Sequence, residues 1–190
     1  ETVAELAAIL CSCGKMECFS GDTKLKIQTE NEAVARKCFT LLQKTFNIET
    51  KIFVRENSHL KRVKVYTIEI TDPEEIQVIF QALRLVTNSI DQGTLVLSDM
   101  LVVQQNCCKR AFIRGAFLAS GSISDPEKGY HFEIVCSDAK RAEQLQTIIR
   151  SFSVDAKIVQ RKKSHVVYVK EGAQIVDMLA VMAVSYTHLT

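Results

Sequence analysis

The chain contains itself twice. Glu5 to Met16 (ELAAILCSCGKM) lines up with Phe112 to Ile123 (FIRGAFLASGSI), placing Gly14 on Gly121 at an offset of 107 residues (121 − 14 = 107). At that offset Ala4, Ala8 and Ser12 meet Ala111, Gly115 and Ala119, so both segments carry a small residue at every fourth position. The register continues through KIQTENEAVARKCFTLL against EIVCSDAKRAEQLQTII and, after a one-residue gap, through FNIETKI against FSVDAKI. A period near a hundred residues is too long for a solenoid unit and suits two tandem half-domains. A chain of 190 residues built this way is long enough to bury about 70% of its unfolded surface.

The patterns inside each copy predict the order αββαββα, an α+β fold. In the first copy the spacing predicts a buried helix over 3–13, with Gly14 as a helix-ending position, because its residues are apolar or small nearly all round. Strands follow near 16–20 and 23–29, joined by Gly21 and Asp22 as turn residues. Lys24, Lys26 and Gln28 alternate with Leu25, Ile27 and Thr29, one wet face and one dry. A helix over 31–46 opens on Asn31 as its cap, strands span 50–55 and 62–70, and a helix runs from Pro73 to about Val86. The second copy repeats this with helices over 109–120, 138–152 and 173–183, and strands over 121–125, 130–136, 155–161 and 164–170. The predicted organisation is a half-domain over 1–87, a linker over 88–108, a second half-domain over 109–183 and a tail over 184–190.

The small-residue stripes predict how the halves join. Helices sit about 8–10 Å apart, with side chains setting the spacing. Stripes of Ala, Gly and Ser favour a close crossing of the two first helices, with Ala4, Ala8, Ser12, Ala111, Gly115 and Ala119 as the seam. The two copies then form a pseudo-dimer within one chain, and a monomer suffices for the fold.

Two αββαββα copies, each opening with a small-residue helix that ends in Gly, resemble the LAGLIDADG homing-endonuclease fold. The nine motif positions fall on Leu6–Gly14 and Ile113–Gly121. In that family the eighth residue is an acid that binds the catalytic metal; here it is Cys13 and Ser120. The second copy, with CCKRAFIRGAFLASGSISDPEKGYHFEIV and IVQRKKSHVVYVKEGAQIVDMLAVM, is similar to the WhiA family of bacterial sporulation and cell-division regulators. That resemblance implies a degenerate LAGLIDADG domain and a carboxy-terminal helix-turn-helix that binds DNA, outside the residues of this sequence. The chain opens within a helix and without Met, and VSYTHLT at 184–190 departs from the family pattern, so the sequence reads as a fragment with a tail of foreign origin.

Catalysis is not expected. Phosphodiester cleavage on this fold needs a carboxylate from each helix, because hard divalent cations take oxygen ligands. A thiol and a hydroxyl are poor replacements. The acids Asp22 and Asp125 fall in predicted turns, where Asp bonds locally. Cys11, Cys13 and Cys18 lack a histidine or fourth cysteine at zinc spacing and read as small buried hydrophobes. His59, His131, His165 and His188 have no spacing that links them to a serine or cysteine nucleophile. No metal and no cofactor is predicted.

Charge points more usefully to DNA. The net charge is +2, so any nucleic-acid surface must come from local patterning. Residues 51–64 hold five basic residues against the single acid Glu56, and residues 157–170 hold five against none. Both are the second hairpin of their copy. Lys24, Lys26, Arg55, Arg62, Lys64, Lys157, Arg161, Lys162 and Lys163 are the DNA-binding candidates, with Lys24, Lys26, Arg62 and Lys64 assigned to the polar strand face. Phosphate contacts of this kind add affinity and salt dependence without sequence information. Solvated edges protected by lysine are the alternative, and a protein- or ligand-binding module is the competing function. Seven cysteines, an odd number with Cys107 and Cys108 adjacent, suit a reducing compartment such as a bacterial cytoplasm. No run of eighteen apolar residues is present to span a membrane.

Overall fold

The computed structural model describes residues 1–57, 62–88, 93–124, 127, 129 and 131–183. The first half runs α1 (Thr2–Cys13), β1 (Gly14–Phe19), β2 (Asp22–Thr29), α2 (Glu32–Phe46), β3 (Ile52–Asn57), β4 (Val63–Ile70) and α3 (Pro73–Leu83). A short ribbon of β5 (Leu85–Thr87) and β6 (Leu95–Leu97) and a 3-10 turn at Leu101–Val103 lead into the second half. That half is α4 (Asn106–Ser120), β7 (Gly121–Ile123), β8 (Phe132–Cys136), α5 (Ala139–Arg150), β9 (Lys157–Arg161), β10 (Ser164–Val169) and α6 (Gly172–Ala183). Each half forms a four-stranded antiparallel sheet, ordered β1-β2-β4-β3 and β7-β8-β10-β9.

The halves meet through α1 and α4, the most extensive helix pair in the molecule. Ala4, Ala8, Ala111 and Gly115 are buried, and Ser12 and Ala119 are partly so. A Cβ added to Gly115 would stand 2.6 Å from the Glu5 carbonyl oxygen and 3.1 Å from the Ala8 Cβ, so α4 lies on the backbone of α1. Glu5 is 6% exposed within this contact. Its carboxylate meets Lys37 Nζ at 2.5 Å and Arg114 Nε at 3.4 Å, so a cation from each half shares one buried acid. Arg114 and Arg110 also donate to the Met182 and Val181 carbonyls, tying the end of α6 to α4. One apolar core spans both halves, with Leu6, Ile9, Leu10, Leu25, Ile27 and Leu42 from the first and Phe132, Ile134 and Ile149 from the second.

Equivalent caps start equivalent helices. Asn31 accepts from the Ala33 and Val34 amides at α2, and Asp138, 107 residues later, accepts from the Lys140 and Arg141 amides at α5. Several expectations are corrected. The helix from Pro73 stops at Leu83 rather than near Val86, because Arg84 turns left-handed (φ 53°) and Val86 joins β5. The predicted linker contributes Leu95, Val96 and Leu97 to the buried interior, and its last residues, Cys107 and Cys108 included, already belong to α4. The β1–β2 turn is made by Ser20 (φ 51°) and Gly21 (φ 89°), with Asp22 in the strand.

Gly14 and Gly121 are extended at φ −89° and −93°, not left-handed. Glycine is needed there for room. A Cβ at Gly14 would lie 2.5 Å from the Leu10 carbonyl oxygen, and one at Gly121 would lie 2.2 Å from the Phe117 ring.

Candidate nucleic-acid interface

Where the α1–α4 pair ends, the two halves enclose a cleft of about 610 Å³, lined from the first half by Cys13, Lys15 and Lys26 and from the second by Ala119 and Ser137. The two degenerate motif positions stand here or beside it. Burial pushes the Cys13 thiol above its ordinary range, with Arg141 pulling the other way. The Ser120 hydroxyl donates back to the Ala116 carbonyl of its own helix at 3.3 Å. A protonated thiol and a hydroxyl already spent on the backbone do not suit a magnesium or manganese ion, which needs charged oxygen ligands. The residues at these positions therefore do not fit the metal that the fold would use for cleavage. Among the described residues, no three His, Cys, Asp or Glu side chains come together as a metal site.

The open face of each sheet, turned away from the helices, follows from the pairing register. Lys26 pairs with Glu69 and with Lys15, and Lys24 with Glu17. Since directly paired residues share a face, the first open face carries Lys15, Glu17, Lys24, Lys26, Glu69 and, on β3, Phe53 and Arg55. In the second half Glu133 pairs with Tyr168 and Ser122, and Lys157, Val159 and Arg161 occupy the same face of β9.

Superposing the registers matches the halves residue for residue. Arg55 faces Val65 as Arg161 faces Ser164, and Phe53 faces Thr67 as Val159 faces Val166. Both halves thus place an arginine at one and the same position of the third strand. At the position of Lys26, however, the second half has Glu133, because Ile27 and Ile134 are equivalent neighbours of Gly14 and Gly121.

The predicted basic residues divide by what they already hold. Lys24 lies 3.0 Å from Glu69 and 3.7 Å from Glu17, and Lys26 lies 3.5 Å from Glu17. The hydrogen bond that Lys24 donates to the Glu69 carboxylate raises the Lys24 pKa against a smaller opposing effect of desolvation. Arg161 makes a forked pair with Glu133, at 3.1 and 3.2 Å. Lys157 contacts Asp155 at 3.8 Å. Arg55, Arg62, Lys64, Lys162 and Lys163 are exposed and make no ion pair with the described residues.

One of these was assigned to the wrong face. Lys64 pairs with Glu56 and shares the face of Tyr66, Ile68 and Ile70, opposite Lys24 and Lys26. It is exposed only because it lies near the strand end. Arg62 precedes that strand instead of lying in it. Lys162 (φ 57°) and Lys163 make the β9–β10 turn, beyond the sheet face. Asp22 is exposed opposite Phe19, while Asp125, His59 and His188 lie outside the described residues.

The comparisons with known proteins converge. The WhiA N-terminal LAGLIDADG-like domain model matches residues 1–86, and the WhiA LAGLIDADG-like domain model matches residues 109–190. The second match runs across the 184–190 segment. The chain belongs to the WhiA family. It is 51% identical over 181 residues to the probable cell division protein WhiA of Lachnoclostridium phytofermentans, covering 95% of this chain and 58% of that protein. A protein of the same name from Alkaliphilus oremlandii is 40% identical over 185 residues, covering 95% of this chain and 57% of its own length. The chain therefore spans a little over half the length of these WhiA relatives.

Solved structures show the same fold. The N-terminal LAGLIDADG domain of WhiA matches with a TM-score of 0.69 at 18% identity, covering 96% of this chain and 81% of that one. Full-length WhiA from Thermatoga maritima matches at 0.67 and 18% identity, over 97% of this chain and 56% of that one. The homing endonuclease I-DmoI, in complex with DNA and Mn, matches at 0.65 and 12% identity, over 96% of each chain. No helix among the described residues is long and apolar enough to cross a membrane.

Within this WhiA-family fold, three residues at the junction had no signal in the sequence pattern. Arg141 on α5 is 6% exposed. It donates to the Cys11 carbonyl and, at 2.9 Å, to the Ser12 hydroxyl at the end of α1. Its repeat partner is Val34, an ordinary core residue. Glu5 and Arg114 were hidden in the same way, because a helix packed on all sides gives a charged residue no polar stripe to mark it.

Proposed function

We propose that this chain is the non-catalytic part of a bacterial DNA-binding transcription regulator that acts in cell division, sporulation and chromosome segregation. Its saddle contacts the phosphates of duplex DNA, alongside a helix-turn-helix reader elsewhere in the full-length protein. It works in the cytoplasm on the nucleoid, as a monomer whose two halves stand in for two subunits. The observation that carries this is the arginine at one register position of both open faces, Arg55 and Arg161, on a fold whose two central helices end in Cys13 and Ser120 where cleavage needs acids. Each arginine that reaches a phosphate releases counterions and steepens the salt dependence of binding.

Duplex binding titrated with salt tests this. Wild-type chain binds a generic duplex at low ionic strength and loses affinity steeply as salt rises, and Arg55→Glu abolishes most of that affinity. Binding that ignores Arg55→Glu, or an absence of binding at low salt, excludes the saddle as a DNA surface. Incubation with plasmid and magnesium leaves the DNA uncut; nicking that depends on Asp125 overturns the non-catalytic assignment.

A specific feature favours a second function, an interaction module for a protein partner. Phe19 is 83% exposed, Phe53 56% and Val159 40%, and all three lie on open sheet faces beside carboxylates that neutralise Lys24, Lys26 and Arg161. If that function holds, Phe53→Ser removes partner binding and leaves any DNA affinity untouched.

A further inference from the structure

The ribbon between the halves does more than connect them. After α3 it turns back and adds to the outer edge of β1: the Met16 amide donates to the Gly93 carbonyl at 2.8 Å, and Lys15 forms an antiparallel bridge with Thr94. Gly93 is left-handed (φ 82°), and a Cβ on it would stand 2.2 Å from the Met16 carbonyl oxygen, so two backbones touch here. β6 packs on α1 and on α5 of the other half. There Leu97 exchanges two hydrogen bonds with the Gln144 side chain, and Asn88 donates to Asp138.

In the second half β7 is likewise the outer strand of its sheet, and no described residue pairs with its outer edge. The Ser124 amide donates to the His131 carbonyl across the hairpin, so alternation turns the Ile123 amide outward, as it turns the equivalent Met16 amide. Exposure separates the two edges at equivalent positions. Cys11 is 3% exposed and Leu118 41%; Met16 is half-buried and Ile123 is 41% exposed; the Asp138 cap is 4% exposed and the Asn31 cap is open.

We propose that in full-length WhiA the segment following α6 adds to the outer edge of β7 as Gly93 and Thr94 add to β1. The repeat names this occupant, because the ribbon follows α3 directly and α6 is the counterpart of α3. Gly93 lies ten residues past Leu83, and the same distance past Ala183 falls beyond residue 190. The matched WhiA relatives extend beyond the shared part, which is 58% and 57% of their length. An unpaired edge is a template for any extended backbone, and a segment tethered to α6 reaches it at high effective concentration. The fit differs in one respect. Phe117 fills the space beside Gly121 that Leu95 fills beside Gly14, so the incoming strand is held by its backbone and by cover of Leu118 and Ile123. The proposal is independent of DNA binding by the saddle.

Amide hydrogen exchange tests it, on the 190-residue chain and on the full-length Lachnoclostridium phytofermentans relative. The Met16 amide is slow in both and reports an intact first sheet. The Ile123 amide is fast in the 190-residue chain, and its counterpart is slower by about tenfold or more in the full-length protein, as one added backbone hydrogen bond requires. Ile123→Pro removes only an outward amide; the corresponding full-length variant keeps the Met16 amide slow and exposes the segment after α6 to protease. Equal exchange at Ile123 and its counterpart overturns the proposal, as does a full-length variant cleaved there no faster than wild type. Slow exchange in the 190-residue chain that quickens on dilution assigns the edge to a second copy, which overturns it as well.

Discussion

The two halves share a plan and differ in where they put their charge. In the first, Arg55 makes no ion pair with the described residues, and Lys26 lies two cross-strand rows away on the same open face. In the second, Glu133 replaces that lysine and clamps the equivalent arginine, Arg161, in a forked pair. Beneath the cleft the asymmetry reverses, since the second half sends Arg141 to the end of the first half's helix, where the first half has Val34 at the equivalent position. A duplicated domain keeps its backbone because every helix and strand must still bury the same face, while open-face side chains change at little cost to folding. Packing positions and caps are mostly shared, while the open faces diverge except at Arg55 and Arg161, and the buried Arg141 in place of Val34 is the exception inside.

The largest expected effect comes from the seam, where the halves are most alike. Gly115→Leu forces a side chain into the α1 backbone and destabilises the chain by about 1–3 kcal/mol or more, read by denaturant unfolding. A small change there means the helices separate without cost, and the halves are less interdependent than the shared core implies. The paired caps come next. Asn31→Ala costs about 1 kcal/mol, and Asp138→Ala toward 2, because Asp138 is 4% exposed and also holds Asn88. Equal losses would show that the second cap gains nothing from its burial.

On the open face, Glu133→Gln releases Arg161 and raises duplex affinity by a few-fold, while exchanging Glu133 for Lys, as in the first half, raises it further. Surface pairs are worth about 0–1 kcal/mol, so thermal stability barely moves in either variant. The last effect is confined to alkaline pH. Burial pushes the Cys11 thiol up to about 12 and Cys38 higher still. Unfolded thiols ionise near pH 8.5, so stability is level below that and declines as the pH rises toward about 12. Cys18, which is exposed, reacts with a thiol reagent in the native state, whereas Cys11 reacts only on unfolding.

Much of the fold was legible because it is written twice. The small-residue stripes, the Asn31 cap and the alternation of β2 each follow from local spacing, and the repeat supplied the stripes and the order of elements a second time. Val86 was misplaced because an apolar residue after Leu83 continues a helical pattern until Arg84 turns left-handed, which a non-glycine residue does not announce. Lys64 was misassigned because alternation was carried past the strand end, where exposure comes from lack of cover and not from facing solvent. The ion pairs of Lys24, Lys26 and Arg161 cross between strands, and Arg141 reaches 129 residues back to Ser12. No spacing rule sees such contacts, so the basic surface looked freer in the sequence than it is in the fold.

On the proposed function the saddle meets DNA phosphates without cutting, and chiefly through its first half. The salt dependence of duplex binding tests it most directly, compared among the wild-type chain, Arg55→Gln and Arg161→Gln. Each phosphate contact contributes about 0.9 to the slope of log affinity against log salt. The slope falls by about that amount in Arg55→Gln and by clearly less in Arg161→Gln, whose charge Glu133 already holds. Equal slopes in all three proteins would contradict the claim.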